Sequence, residues 1–367
     1  MKKILLIGFL IFSGIYFNEL MAQSFQTGSI GVEVNVYGRV RIHAPQISNL
    51  RQIDRSSILI GVNKDQVFDY KKDADTEIQP YNVQNPQKSD YEIFGAFNNA
   101  YSNLPPNFLV RLSVYGWQNQ SYILCKFTVV NRETNALNSY IGIEFIPQPD
   151  GTYGLETVKF NLPNYIGYSY RDASPVVGYK IFSQPTYSFR IIDWTASYYD
   201  PDSLLWGYLT YGNFDTSFVA GGDGSVAILT QQPVTIQPND SVHFWVGIAV
   251  GANETQLINN MEQAYAKYST LTSVEDEVKP SSYQLKQNYP NPFNPKTIIE
   301  FLIPEKQKID LSVYNALGQK IKTLVNQELE AGKHFIEFDG SDLNTGIYFY
   351  ELRADQFKST KKMVLIK

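Results

Sequence analysis

At 367 residues, with 43% apolar and 14% aromatic side chains, the chain is long enough for two or three domains and apolar enough to pack them. Only 18% of its residues are charged and the formal net charge is −5, with no basic stripe, which argues against disorder and against a nucleic-acid partner. A single cysteine, Cys125, leaves no intrachain disulfide to form, so stability must come from core area.

The chain opens on Lys2 and Lys3, then an apolar run from Ile4 to Phe17, then Leu20-Met21-Ala22 before Gln23. That is the pattern of a signal peptide over residues 1–22, the run being shorter than the roughly 20 residues a membrane span needs. No later segment is long and apolar enough to cross a bilayer as a helix, so no transmembrane segment is expected in the mature protein.

From residue 23 to 270 period-2 alternation dominates. Ile30, Val32, Val34 and Val36 share one face, and Val40 and Ile42 continue it past a bulge or bend at Gly38. Strands are expected at Ser57–Val62, Phe108–Tyr115, Ser121–Asn131, Tyr140–Ile146, Glu156–Asn161 and Tyr187–Asp193. Further strands are expected at Leu204–Tyr211, Ser225–Thr230 and Ser241–Val250. Turn signals such as Pro149-Asp150-Gly151 and Gly221-Gly222-Asp223-Gly224 separate them. This pattern predicts an all-β fold, a large β-sandwich-type body. Cys125 alternates with Ile123, Phe127 and Val129, which makes it a buried, inert thiol.

One helix is expected, from Asn253 to about Thr270, with Asn253 and Gln256 as a capping box and Leu257, Ile258, Met261, Ala264, Tyr265 and Tyr268 on one stripe. It would dock on the body. Residues 271–282, LTSVEDEVKPSS, lose that periodicity and read as an acidic linker. Residues 283–367 carry six or seven short alternating strands, enough for a small immunoglobulin-like β-sandwich.

That last segment resembles a known family. It begins Asn288-Tyr289-Pro290-Asn291-Pro292-Phe293-Asn294-Pro295 and continues through Val313-Tyr314-Asn315 and Leu317-Gly318-Gln319. It closes on Gly346-Ile347-Tyr348-Phe349-Tyr350 and Lys361-Lys362-Met363-Val364-Leu365-Ile366-Lys367. In that order these motifs look like the type A C-terminal sorting domain of the type IX secretion system. The resemblance implies sorting-signal roles for Pro290, Pro292, Phe293, Gly346, Tyr348, Lys362 and Lys367. It further implies a partner in the type IX secretion machinery, a Gram-negative bacterium of the Bacteroidetes type, and a secreted or outer-surface location. Removal of the tail, with release of the body or its attachment to surface lipopolysaccharide, would follow. A looser resemblance, from Ser121 to Tyr268, is to uncharacterised β-sandwich modules that carry such tails, and implies a non-catalytic accessory module.

The body shows no chemical signature of comparable strength. Its two histidines, His43 and His243, form no metal pair, and no HExxH, Walker or dinucleotide loop occurs, so neither a metal nor a cofactor is expected. Gly167-Tyr168-Ser169-Tyr170-Arg171 lacks the second glycine of a nucleophile elbow. Asp73, Asp75 and Glu77 alternate as calcium-loop oxygens do, but Ile78 stands where a sharp-turn glycine belongs. A glycosidase would need two carboxylates about 5 to 9 Å apart, for which Asp193, Asp200, Asp202 and Asp215 are the candidates. The aromatic density between 165 and 214 is more suggestive. Trp194, Tyr198, Tyr199, Trp206 and Tyr208 are the candidate ligand-binding residues, with exposure expected in the loop from Asp193 to Pro201. The reading is therefore a non-catalytic binding module for a glycan or a protein. The alternatives are an extracellular glycan-directed hydrolase and a ligand-free structural protein.

Overall fold

The computed structural model describes residues 22–45, 50–195, 197–277, 282–288, 291–329, 331–355 and 357–367. The signal-peptide reading, but for Ala22, and the sorting residue Pro290 lie outside them. The chain divides into two compact units, with the boundary after Ala266.

The first unit is built on two nine-stranded sheets. Sheet 1 runs in the order Gln23–Gln26, Gly31–Val34, Val40–His43, Arg51–Asn63, Leu137–Pro147, Ser225–Gln231, Thr186–Asp193. Gln66–Phe68 pairs with Arg51–Asn63, and Val234–Ile236 with Leu137–Pro147. Sheet 2 runs Ser217–Val219, Thr157–Asn161, Ile166–Tyr170, Val176–Ile181, Ser241–Gly251, Tyr122–Asn131, Phe108–Gly116, Tyr91–Asn98, Asp75–Asn82. The strand pairings within both sheets are antiparallel.

Alternation explains how the sheets meet. Ile141, Ile143 and Phe145 of sheet 1 enter one core with Ile123, Cys125, Phe127 and Val129 of sheet 2. Phe145 stacks on Tyr179 of sheet 2 with ring centroids 3.9 Å apart. Burial pushes the Cys125 thiol well above its ordinary range, which disfavours the reactive thiolate.

The odd-numbered side chains of that strand of sheet 1 point into the core, so Tyr140, Gly142, Glu144 and Ile146 face outward. That outer face is covered too. The segment Leu204–Tyr211, expected as a strand, is instead helical as far as Leu209, within helix α1 (Asp202–Leu209). Leu205 and Leu209, one helical turn apart, are fully buried beside Leu59 and Ile228. The aromatic residues that favour a strand locally are outweighed by an apolar sheet face that needs a cover.

Other departures are local. Gly38, at φ +77°, turns a tight hairpin, so Val40–His43 runs back beside Gly31–Val34 and does not continue it. Strands at Asp75–Asn82, Tyr91–Asn98, Ile166–Tyr170 and Val176–Ile181 escaped the alternation test. Pro80 and the glycines at 95, 167 and 178 interrupt it.

Helix α2 (Glu254–Glu277) begins as expected: Asn253 Oδ1 accepts the Gln256 N–H at 3.0 Å, and Gln256 Oε1 accepts the Ala252 N–H at 3.0 Å. Leu257, Met261 and Ala264 are buried. The helix continues through residues 271–277, so the first half of the expected linker is helical. Acidic residues do not stop a helix, and the first strong breaker is Pro280. Among the described residues no helix is long and apolar enough to cross a membrane.

The second unit contains a three-stranded sheet, Gln284–Leu285, Lys296–Ile303, Gly332–Asp339, and a four-stranded one, Lys320–Leu329, Gln307–Asn315, Gly346–Ala354, Phe357–Leu365. Ile299, Phe301 and Ile303 of the first share a core with Leu311, Val313, Tyr350 and Leu352 of the second.

Candidate functional site

One cleft opens on the outer side of sheet 1, and a second lies at its turn 63–66, beside the loop 102–105 that joins two strands of sheet 2. The larger, about 600 Å³, lies within the usual range of small-molecule pockets. Its floor is Ile146 with Arg55, which face each other across adjacent strands. One wall is Trp194 with Thr195, and the other is Tyr153, with Gly222 and Asp223 at the rim.

The walls are held by backbone geometry. Gly154 sits at φ +86°, and a Cβ there would lie 2.2 Å from the Gly222 carbonyl oxygen, so only glycine lets the two loops touch. The Leu155 N–H donates to Gly221 O at 3.1 Å, and the Trp194 N–H to Gly224 O at 2.8 Å. Asp193 Oδ1 accepts the Gly221 N–H at 2.8 Å. Buried Glu156 accepts both the N–H and the hydroxyl of Ser225 at 2.6 Å. Arg171 ties the facing loop by donating to Gly154 O at 2.8 Å, and also to Pro149 O and Thr152 Oγ1.

The guanidinium of Arg55 lies over the Trp194 ring, 5.3 Å from its centroid, and Arg55 Nε is 3.6 Å from Asp54 Oδ2. Asp54 is also paired with Arg51 at 3.1 Å. The Tyr153 phenol is raised above its ordinary value by partial burial and by the neighbouring Asp54 carboxylate. Yet 45% of Tyr153 is exposed, so its ring is available to the cleft.

Of the five aromatic residues singled out in the sequence, the structure places only Trp194 in this cleft. The exposure expected at Tyr198 and Tyr199 is not found, because both are buried. Tyr199 Oη donates to Glu144 Oε1 at 2.7 Å, beside Ser57 Oγ at 2.5 Å on the same oxygen. Tyr208 stacks on Tyr198, and Trp206 meets Tyr140 edge-on at 5.3 Å. These four rings form the layer that seals α1 against the sheet. Arg55, Tyr153 and Asp223 were missed, although the turn signals at 149–151 and 221–224 lay beside Tyr153 and at Asp223.

The second cleft, about 520 Å³, is acidic, with Asp65, Asp73 and Asp202 around Lys72. It is built on the turn Asp69–Asp73. Asp69 Oδ1 accepts the N–H groups of Lys71 and Lys72 at 2.7 and 2.8 Å, and Asp73 Oδ2 accepts the Asp69 N–H at 2.9 Å. Asp202, at the start of α1, pairs with Lys72 Nζ and accepts the Val67 N–H at 2.9 Å. Burial pushes the Asp69 carboxyl up to about 7, with Asp73 nearby adding to the rise. The Asp73 carboxyl is raised as well, by burial and then by Asp202.

Of the four acids weighed for a glycosidase, Asp202 alone lines either of these two clefts. Asp193 is tied to the Gly221 turn, and Asp215 is held by Arg190 at 3.1 Å and by the Tyr211 hydroxyl at 2.8 Å. Asp200 is exposed. The three calcium-like acids point apart: Glu77 takes a two-pronged bond from Arg132 at 2.6 and 2.7 Å, and Asp75 caps the Thr76 N–H. Among the described residues no three acid, histidine or cysteine side chains converge as metal ligands.

In the second unit the two ends of the sorting motif are stitched together. Phe293 is buried, its N–H donates to Val364 O, and its carbonyl accepts the Ile366 N–H, both at 2.9 Å. Asn291 Oδ1 accepts the Val364 N–H at 2.9 Å, and Gln287 Nε2 donates to Lys362 O at 2.7 Å. Tyr350 Oη accepts the Asn288 N–H and donates to Lys286 O, both at 2.7 Å. Tyr348 Oη donates to Asn344 O at 2.8 Å, two residues before Gly346, and Lys367 Nζ donates to Ser341 O at 2.6 Å. Pro292 and Lys362 stay exposed.

Comparisons with known proteins follow the same division. No curated protein sequence matches the chain. Over two thirds of its length the chain is similar in fold to a bacterial glucoamylase whose crystal structure was determined with acarbose. That match has a TM-score of 0.51 and 10% identity over 67% of this chain and 34% of that one. The chain thus spans about a third of that enzyme's length. Galactose mutarotase-like proteins from Lactobacillus casei and Clostridium acetobutylicum are 7% and 10% identical. They cover 63% and 62% of this chain and 100% and 94% of their own, at TM-scores of 0.36 and 0.35, too loosely to establish a shared topology. The model of the secretion system C-terminal sorting domain matches residues 287–367. The stitched tail is that sorting domain, and the chain is a cargo of the type IX secretion system, bound for the cell surface or beyond.

Proposed function

We propose that the body is a carbohydrate-recognising module, exported by its tail, with the ligand seated in the cleft of Trp194. The observation that carries this reading is that cleft itself. An indole and a partly exposed phenol stand on two loops locked by hydrogen bonds, with one guanidinium and one carboxylate between and beside them. Flat rings with fixed polar neighbours suit the apolar face and the hydroxyl rim of a sugar ring. The likeness in fold to a glucoamylase is in keeping with this, although it concerns fold alone.

The test is binding of the purified full chain to an array of polysaccharides. Trp194→Ala is expected to weaken binding at least about tenfold, the scale of a single hot-spot contact. Unchanged binding in that variant would remove the cleft from the proposal.

A second reading, hydrolysis of the glycan, is favoured by one observation. Asp73 and Asp202 line the same cleft, and the Asp73 carboxyl is raised as a general acid requires. Release of new reducing ends by the wild type, and its loss in Asp73→Asn, would establish it. Binding without product release would leave recognition alone.

A further inference from the structure

Resting on the reading of the Trp194 cleft as a sugar site, we infer that the glycan it takes is uncharged. The charged groups lining this cleft are Arg55 and Asp223. Arg55 is already answered by Asp54, whose side chain is only 10% exposed and is anchored from its other side by Arg51 at 3.1 Å. The four groups, Arg51, Arg55, Asp54 and Asp223, sum to zero. A uronate or sulfate group entering the cleft would find the Arg55 charge already partly offset by Asp54 and would be repelled by Asp223. A cationic sugar would meet Arg55. An uncharged ring uses both groups at once. Its hydroxyls accept from the guanidinium and donate to the Asp223 carboxylate, while its apolar face rests on Trp194 or Tyr153.

The balance also predicts what changes the preference. Replacing the exposed Asp223 by lysine leaves the loop backbone in place and makes the cleft cationic.

The experiment is titration of the full chain with uncharged polysaccharides (glucans, mannans, galactans) and with polyuronates and sulfated galactans, each at low and high salt. The expected result is binding to an uncharged polymer, changed less than about twofold by salt, since no ion pair forms across the interface. Tyr153→Ala should weaken it severalfold, and Asp223→Lys should gain polyuronate binding that falls with salt. Binding of polyanions by the wild type, weakened by salt, would overturn the uncharged assignment while leaving the sugar site standing. Asp223→Lys that keeps its uncharged ligand and gains no polyuronate would show that charge balance is not the selector. Silence toward every polysaccharide would instead overturn the sugar site itself.

Discussion

Asp69 shows how a single side chain can set the pH response of a fold. Its side chain has no exposed surface, and burial holds its carboxyl up to about 7, against an ordinary value near 4. Between those limits the native state keeps a proton that the unfolded chain has released. The stability Asp69 contributes is therefore complete below about pH 4 and is lost as pH rises through about 7. The raised Asp73 carboxyl acts in the same direction. In Asp69→Asn the amide oxygen can still accept the Lys71 and Lys72 N–H groups, and no charge has to be buried. The variant should melt above the wild type at about pH 8, by roughly 2 to 4 °C for each kcal/mol relieved. The two melting curves should converge near pH 4, and a constant gap across that range would exclude the protonation account. Nothing in the local sequence of DYKKD distinguishes this turn from a solvated one. Residues more than 100 positions further on meet this turn: Asp202 of α1 pairs with Lys72, and Lys71 lies over the Tyr199 ring.

Helix α1 makes the same point for an element. Two glycines on the outer face of sheet 1 let it dock. A Cβ at Gly61 would lie 2.9 Å from Leu209 Cδ1 and from Trp206 Cε3, and one at Gly142 would lie 2.8 Å from Leu209 Cδ2 and 3.0 Å from the Leu229 carbonyl oxygen. Because a backbone oxygen cannot step aside, Gly142→Ala should cost about 1 to 3 kcal/mol, the usual penalty of overpacking. Denaturant unfolding measures that loss, and a neutral result would mean that α1 rides up without strain. The strands from Ser121 to Asn131 and from Ser241 to Val250 were legible because each alternates without a break. The strands at Tyr91–Asn98 and Val176–Ile181 were not, because their glycines serve contacts with other elements, such as Gly178 beneath Leu257 of α2.

For the molecule as a whole, the division of labour follows the two units. The tail addresses the protein, and its motif is a set of contacts joining the start of the domain to its last strand. A chain ending at residue 286 should remain inside the cell envelope, where fractionation and immunodetection would find it. Its appearance at the surface or in the medium at wild-type levels would mean that another segment carries the address. The body's cleft is of a different kind, because it draws on Arg55, Ile146 with Tyr153, Trp194 and Asp223, from four separated stretches of chain.

The all-β class, the buried cysteine, the capped helix on the body and the export tail are legible in the chain alone. Each is written in contiguous residues, as period-2 alternation, a capping box or a linear motif. Which aromatic residues are packing and which are available depends on the folded arrangement. Tyr198, Tyr199 and Trp194 look alike within one short segment. What separates them is whether a sheet face or open solvent lies opposite each ring, and that is set by strands distant in sequence.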